Sequence, residues 1–318
     1  MTRAVPHLPA MICAIAVAMA ESVLGAPFAY VPNEGSGTVS VIDTQTDAVV
    51  AVIEAGGKPR GIALEPGGRR IFVSDQTTNA LVTIDTQARK VTARLDLGQS
   101  PEGVSISADG RLVAAASELA NAVILVDAGS GKEVGRVPTE GKNPEHAVFS
   151  PDGRWLYVSA EDASQVDVVD VAARRQVASI PVGKRPRGIA FTPDGSRAYV
   201  ACELDDAVYA IDVPSGKVVA RIAAGAYTNG VAMHPSGRKV YVSNGRSANV
   251  MAIDVATNQV AATIAVGTRP WNMALTPDGA KLYVANGRSN SVTVIDTQSD
   301  KPLREISVGT RPWGVAIH

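Results

Sequence analysis

The sequence is poor in cysteine, in aromatic residues and in excess charge of either sign. Of its 318 residues, two are cysteines and 4% are aromatic, and the formal net charge at pH 7 is -1. A near-neutral chain lacks the polybasic surface that binds nucleic acid or anionic membranes, and few aromatics argue against stacking platforms for single-stranded nucleic acid. We therefore expect no nucleic-acid partner.

Long hydrophobic runs are also missing, apart from one near the N-terminus. The run from Leu8 to Ala20 spans 13 residues, fewer than the roughly 20 that a membrane-spanning helix needs. Arg3 precedes it and an A-x-A pattern ends it, which is typical of a cleaved export signal. The sequence predicts a signal peptide over residues 1–20, with cleavage after residue 26 as the alternative. The product, residues 21–318, is expected to be one periplasmic or secreted domain without a transmembrane anchor.

Removal of that segment leaves Cys202 as the one cysteine. An intramolecular disulfide, a Cys-based zinc cluster and a C-x-x-C-H haem attachment are then all excluded. A hydrophobic core must hold the domain together, and we predict no cofactor.

Internal repetition is the strongest positive signal in the chain. An aspartate closes each Val-x-x-Ile-Asp-like segment, and successive copies lie 42 or 43 residues apart: Asp43, Asp85, Asp127, Asp170, Asp212, Asp254 and Asp296. A residue that recurs in every unit is structural, and we expect each carboxylate to accept turn N–H groups in an Asx-turn. A second marker keeps the same step, with Thr228 in its one missing place: Pro59, Pro101, Pro144, Pro186, Pro270 and Pro312.

Each repeat carries four short apolar segments bounded by turn signals, and no helical pattern fits between them. One unit predicts strands over 188–192, 198–201, 208–211 and 218–222. Four antiparallel strands in about 42 residues indicate a blade of a β-propeller. The sequence therefore predicts an all-β, seven-bladed β-propeller. Because the chain starts at a second strand near Phe28 and stops after a first strand near Ile317, the two ends should complete one blade and close the ring.

Several segments resemble the YVTN family of propeller repeats. The Tyr-Val segments that carry this resemblance are residues 199–201, 241–244 and 283–286. The match looks closest to seven-repeat propellers associated with alcohol catabolism that depends on pyrroloquinoline quinone (PQQ), on the strength of residues 30–34, 268–271 and 310–313. That resemblance implies a periplasmic accessory role and supplies no catalytic residues. We do not expect PQQ itself to be bound.

Function in repeat proteins tends to lie where loops vary over a constant frame, so we searched the predicted rim of the central channel. An acidic set follows the second strands: Glu34, Asp75, Glu118, Glu161 and Glu203. The last two units carry Gly-Arg-Ser there instead, which predicts a polarised rim. Arginine beside exposed tryptophan favours a ligand or partner site. The residues predicted to bind are Arg60, Asn229, Arg246, Arg269, Trp271, Asn272, Arg288, Arg311 and Trp313.

His146 stands where most units have glycine, beside Glu145. Its imidazole would suit proton transfer or metal binding near neutral pH. The alternative catalytic set is His146, Glu102, Glu145 and Arg187, and the alternative metal pair is His146 with Glu145. A histidine that merely lines the channel explains the same pattern.

Three function classes remain open. The first is a non-catalytic binding or assembly protein, accessory to PQQ-dependent alcohol oxidation or transport, which captures a small molecule or a periplasmic partner. The second is a lactonase-like hydrolase, and the third is a carrier for haem or a quinone. We expect the first, because no nucleophile motif marks an enzyme and the rim carries the arginine and tryptophan residues.

Overall fold

The computed structural model describes Met1 and residues 27–318, so the predicted signal peptide and both of its cleavage sites lie outside the described part of the chain. Within that part, the chain forms seven antiparallel sheets of four strands each. The innermost strands of neighbouring sheets contact one another all the way round a ring. The predicted seven-bladed β-propeller is confirmed.

Strands are numbered in chain order and blades from the ring-closing blade onward. Blades 1 and 2 contain β28 (Ala316–Ile317), β1 (Phe28–Asn33), β2 (Thr38–Asp43), β3 (Ala48–Glu54), β4 (Pro59–Leu64), β5 (Arg70–Asp75), β6 (Ala80–Asp85) and β7 (Lys90–Asp96). Blades 3 and 4 contain β8 (Pro101–Ile106), β9 (Leu112–Ser117), β10 (Ala122–Asp127), β11 (Lys132–Pro138), β12 (Pro144–Phe149), β13 (Trp155–Ala160), β14 (Gln165–Asp170) and β15 (Arg175–Pro181).

Blades 5 to 7 follow the same plan. Their strands are β16 (Pro186–Phe191), β17 (Arg197–Cys202), β18 (Ala207–Asp212), β19 (Lys217–Ala223), β20 (Thr228–Met233), β21 (Lys239–Asn244), β22 (Asn249–Asp254), β23 (Gln259–Ala265), β24 (Pro270–Leu275), β25 (Lys281–Asn286), β26 (Ser291–Asp296) and β27 (Lys301–Ser307). In the described residues one turn of 3-10 helix, Glu161–Ala163, is the only helical element. No helix of this part of the chain is long and apolar enough to cross a membrane.

The repeating aspartates close the turn between the third and fourth strands of every blade. Each carboxylate accepts the backbone N–H three residues further on, at 2.7 to 3.0 Å. In blade 1, for example, Asp43 Oδ1 accepts the N–H groups of Gln45 and Thr46. These bonds lower the pKa of the Asp43 carboxyl. The structural role predicted for the seven aspartates is confirmed.

The hydrophobic core is divided among the seams between blades. Seven clusters of buried side chains are present, one at each seam, and each draws on two neighbouring sheets. Cys202 belongs to the cluster between blades 4 and 5, is fully buried, and burial raises the pKa of its thiol to about 12. The cysteine is therefore part of the packing between these blades.

The two ends of the described chain complete blade 1. Strand β28 pairs with β1 through Ala316–Tyr30 and Ile317–Ala29, and Asn33 forms a further bridge with Pro312. The backbone N–H of Phe28 also donates to the carbonyl of His318 at 3.0 Å. The predicted closure of the ring is confirmed.

We expect deletion of residues 313–318 to destabilise the whole ring, because it removes β28, uncovers the edge of β1 and opens the cluster that contains Val315. Loss of a few buried side chains at about 1.5–3 kcal/mol each should lower the unfolding temperature by roughly 5 °C or more. Thermal unfolding followed by circular dichroism measures this. Deletion of His318 alone removes its backbone bonds with Phe28 but no residue of this cluster, so it should lower the unfolding temperature less. Equal melting of the intact chain and the longer truncation would contradict the role of closure.

Candidate functional site

The inner strands of neighbouring blades pass so closely that side chains at their starts are forced toward the channel mouth. A Cβ atom at Gly61 would lie 2.2 Å from the carbonyl oxygen of Glu102 in the next blade. The hydroxyl of Ser74 spans this contact: it accepts the Gly61 N–H at 2.8 Å and donates to the Glu102 carbonyl at 2.5 Å. Ser243 links Gly230 to Trp271 in the same way. The rim residues are thus fixed by backbone contacts.

A second set of backbone bonds brings the loop after each second strand against the loop before each first strand. The N–H groups of Glu34 and Gly287 donate to the carbonyls of Arg311 and Arg269, each at 2.9 Å. The accepting residues have φ near 55°. The two groups of rim residues that the sequence singled out therefore share one surface around the channel.

Arg187 is the centre of a buried ion network in blades 4 and 5. Its guanidinium contacts the carboxylates of Glu145, Glu161 and Glu203, and its side chain is 13% exposed. Burial raises the pKa of Glu161 to about 7, with Glu145 contributing in the same direction. Burial also raises the pKa of Glu145, but Arg187, His146 and Arg60 together outweigh burial, so that the pKa of Glu145 lies below its usual value. Arg187 is therefore held by three carboxylates and is a structural cation of the rim.

A smaller network surrounds Arg60. Its two terminal nitrogens contact Glu102 at 2.5 Å and Glu34 at 3.3 Å, and Gln76 also donates to Glu102. Glu102 is 1% exposed, and its second carboxylate oxygen has no partner among the described residues. Burial first, and Glu145 second, raise the pKa of Glu102 to about 9. Glu102 is therefore protonated at neutral pH.

Members of the acidic set are engaged by different groups of the protein. Asp75 lies at the end of β5, one residue before the position of the glutamates, and its buried carboxylate accepts the N–H groups of Lys58 and Thr77. Glu203 is engaged by Arg185, Arg187 and Arg269. No group of three or more His, Cys, Asp or Glu residues suited to a metal ion occurs within the described residues.

Six of the nine residues predicted to bind line one cavity at the rim beside blades 6 and 7. The cavity has a volume of about 720 Å³. Glu34, Tyr227 and Trp271 are part of its wall. Its arginines are Arg60, Arg246, Arg269, Arg288 and Arg311. We call it the arginine pocket.

The arginines of this pocket differ in their partners. Arg60 and Arg269 contact buried glutamates. Arg246, Arg288 and Arg311 are exposed and have no carboxylate within 4.0 Å in the described part of the chain. The guanidinium of Arg246 lies 4.0 Å from the ring centre of Tyr227, a distance at which a cation and an aromatic face attract. The pocket is consequently a cationic surface with two aromatic walls.

Asn229, Asn272 and Trp313 lie outside the arginine pocket. The exposure expected for Trp313 is wrong: this side chain is 7% exposed and stacks on His146 at 5.5 Å between ring centres. Ring closure is the reason, since the Trp313 N–H donates to the carbonyl of Pro32 and draws the residue into the channel. Asn229 is buried, and the Asn272 N–H donates to the Trp313 carbonyl.

His146 faces a small space. The adjoining cavity measures about 130 Å³ and is bounded by residues that include Gly61, Gly103 and Trp313. Burial lowers the pKa of His146 to about 4, so its imidazole is neutral at pH 7. Its Nδ1 has no hydrogen-bond partner among the described residues. Glu145, its proposed metal co-ligand, is engaged by Arg187.

Tyr227 is a lining residue that sequence reasoning missed. It occupies the position held by Arg269 and Arg311 in the next two units, directly before the repeating proline or threonine. The guanidinium groups of Arg246 and Arg269 lie over its ring. Comparison of this position across the seven repeats would have identified it.

Substitution Glu102→Gln tests the electrostatics of the rim. The folded protein keeps the Glu102 proton up to about pH 9, whereas an unfolded chain releases it near pH 4.3. The resulting stability is complete below about pH 4 and is lost as the pH rises toward about 9. We therefore expect the variant to gain unfolding temperature over the parent between about pH 5 and about pH 9. Exposed Glu54→Gln is the control, and a difference independent of pH would contradict the account.

Two protein families match the sequence. The family described as "Lactonase, 7-bladed beta-propeller" matches residues 83–176 and 172–307, which together exceed half of the chain. The family described as "YNCE-like beta-propeller" matches residues 6–108. No curated protein matches.

Two solved structures share the fold. One is titled Kuenenia stuttgartiensis hydrazine synthase: its TM-score is 0.77 at 24% identity, and the similarity covers 89% of this chain and 99% of that one. The other is described as a functionally unknown protein from Desulfotomaculum acetoxidans DSM 771, with a TM-score of 0.79 at 18% identity, covering 91% and 98%. At these identities the likeness shows the fold alone.

Proposed function

Because the chain belongs to the family of seven-bladed lactonase-type β-propellers, whose fold is compatible with binding and with catalysis, we propose from its rim that it is a non-catalytic binding protein. Its ligand is a small anion, captured in the arginine pocket. The resemblance of its repeats to propellers of PQQ-dependent catabolism supports an accessory role in a periplasmic alcohol-oxidation or transport system.

One observation carries this proposal: three arginines without carboxylate partners face the same cavity. The buried glutamates of the rim are matched by Arg60, Arg185, Arg187 and Arg269. Arg246, Arg288 and Arg311 are left over, and all three line the arginine pocket. Because these three arginines form no ion pair with a carboxylate of the described chain, their charges are available to a bound anion.

The residues that line the arginine pocket limit the kinds of ligand that it can bind. A guanidinium presents paired N–H donors that match a carboxylate or a phosphate. Tyr227 and Trp271 add aromatic surface, which suits the apolar or planar part of the same molecule. A volume of about 720 Å³ is typical of a small-molecule site. The best fit is a polycarboxylate or phosphate with an aromatic or apolar body.

A lactonase-like hydrolase is the second candidate, and the matching family description is what favours it. Its proposed residues, His146, Glu102, Glu145 and Arg187, adjoin a cavity of only about 130 Å³ or are tied in ion pairs. This candidate requires hydrolysis of simple lactones that disappears in His146→Ala. A haem or quinone carrier would instead give purified protein a visible absorption band.

The test is calorimetric titration of residues 27–318 with trimesate, a benzene ring that carries three carboxylates, and with benzyl alcohol as its uncharged counterpart. We expect trimesate to bind and benzyl alcohol not to bind. Because a charge-assisted hydrogen bond contributes about 1.5–3 kcal/mol, Arg288→Gln/Arg311→Gln should weaken trimesate binding at least about tenfold. Added salt should weaken binding to the parent as well.

The matched control is Arg175→Gln, since Arg175 is an exposed arginine on an outer strand. This variant should bind trimesate as the parent does. Inorganic phosphate, titrated in parallel, tests the other class of anion that the pocket suits. Failure of every anion to bind, or equal weakening in the control, would contradict the proposal.

A further inference from the structure

A three-part clamp joins neighbouring blades on the side of the ring where the third-to-fourth-strand turns lie. In blade 6, Lys239 Nζ donates to the carbonyl of Thr297 at 2.8 Å and contacts Asp300 at 2.7 Å. The hydroxyl of Tyr241 donates to Asp300 at 2.8 Å. The clamp therefore consists of a cation, a tyrosine hydroxyl, and a turn of the next blade that accepts from both.

The same three parts recur at two other seams. Between blades 5 and 6 they are Arg197, Tyr199 and the turn residue Asn258, and between blades 7 and 1 they are Lys281, Tyr283 and Asp47. The acceptor at the turn has φ between 52° and 56° in each case. Because the contact recurs, we infer that this position of the fold accommodates a cation beside a tyrosine hydroxyl and an accepting turn.

The seam between blades 4 and 5 has lost two of the three parts. Trp155 occupies the place of the cation, and Gly216, with φ of 62°, occupies the place of the acidic or amide acceptor. Tyr157 remains and is 2% exposed, yet its hydroxyl has no hydrogen-bond partner among the described residues. No side chain of the described chain donates to the carbonyl of Val213, the counterpart of Thr297.

A cleft of about 680 Å³ lies at this seam. Trp155, Tyr157, Val213 and Gly216 all line it. The clamp is therefore not replaced by other packing of the blades. The cleft carries an aromatic platform, an unpaired hydroxyl and the Val213 carbonyl, which accepts the Gly216 N–H at 3.3 Å and keeps a second lone pair for another donor.

We propose that this cleft is a second binding site, which receives an organic cation: an alkylammonium or guanidinium group in the place of the missing clamp residue. The Val213 carbonyl and the Tyr157 hydroxyl accept its N–H groups, and Trp155 contributes its ring face. Such a group is carried by a free amine or by a lysine or arginine of a partner.

The charges around the cleft support a cation. Asp152 and Asp194 line it, and hydrogen bonds from Ser150 and from Thr192, respectively, lower the pKa of these two carboxyl groups, that of Asp194 to about 2. Arg154 is the only basic residue of the lining. Its guanidinium already lies 4.4 Å from the centre of the Trp155 ring, so this ring attracts cations on one face.

The site is tested by the fluorescence of Trp155 in a Trp271→Phe/Trp313→Phe background, in which it is the one remaining tryptophan. We titrate with butylammonium and with uncharged butanol. Butylammonium should change the emission with a Kd on the order of 1 mM or lower. Tyr157→Phe should weaken its binding roughly fivefold or more.

Two controls make the outcome decisive. Trp155→Lys/Gly216→Asp rebuilds the clamp, so this variant, followed by calorimetry because it lacks the fluorophore, should melt at a higher temperature and lose butylammonium binding. Tyr209→Phe, at a half-buried position on β18 that does not line the cleft, should bind as the parent does. Equal responses to butylammonium and butanol, no response to butylammonium, or unchanged binding in the rebuilt variant would each overturn the proposal.

A capped tripeptide with a central lysine distinguishes the two sources of the cation. Tighter binding of the peptide than of butylammonium assigns the cleft to a partner's side chain. Tighter binding of butylammonium assigns it to a free amine. Because the arginine pocket is separate from this cleft, failure here leaves the proposed anion site unaffected.

Discussion

The close approach of the inner strands is the constraint on which the rest of the molecule depends. Seven strands must meet around one channel, and where Gly61 passes Glu102 there is no space for a side chain. Backbone groups at the edges of these strands form hydrogen bonds with serine hydroxyls, as Gly61 and Glu102 do with Ser74. This contact fixes the residue that begins each inner strand at the channel mouth. At this position the side chain varies between repeats, so that the repeated fold presents seven side chains of mixed type around the channel mouth.

That arrangement buries several carboxylates at the rim, and charged side chains are distributed around the rim so as to compensate them. Burial of a carboxylate is costly unless a cation accompanies it. Glu145, Glu161 and Glu203 gather around Arg187, whereas Glu102 contacts Arg60 and its pKa is raised to about 9 by burial. Removal of Arg187 would leave Glu145 without an ion pair among the described residues, whereas Glu161 and Glu203 would keep Arg185. Arg246, Arg288 and Arg311 contact no buried acid of the described chain, which makes them available to a ligand.

Sequence periodicity was sufficient for the architecture because every repeat obeys the same local rules. The aspartate turns, the strand boundaries of blade 5 to within two residues, and the closure of the ring all followed from spacing. The predictions from sequence were wrong where the outcome depends on a single residue or on a contact between residues that are distant in the sequence. Asp75 is displaced by a single position from the glutamates, which turns its side chain into the loop.

A repeat pattern does not predict contacts between residues that are distant in the sequence. Trp313 resembles Trp271 in its local sequence, but only Trp313 is held inward by its backbone bond to Pro32. Its ring stacks on that of His146, which is distant in the sequence. The partners of Arg187 come from two blades, and the spacing alone does not select among them. The open seam beside Tyr157 likewise depends on Gly216, a residue of the next blade.

The most direct test of the central claim is an NMR titration that observes the arginine side-chain N–H signals while trimesate is added. The account predicts shifts in the signals of Arg246, Arg288 and Arg311, which lack carboxylate partners. The signals of Arg185 and Arg187, held by glutamates, should stay in place. Shifts confined to the Arg187 network, or no shifts at all, would contradict the claim that the unpaired arginines form the binding site.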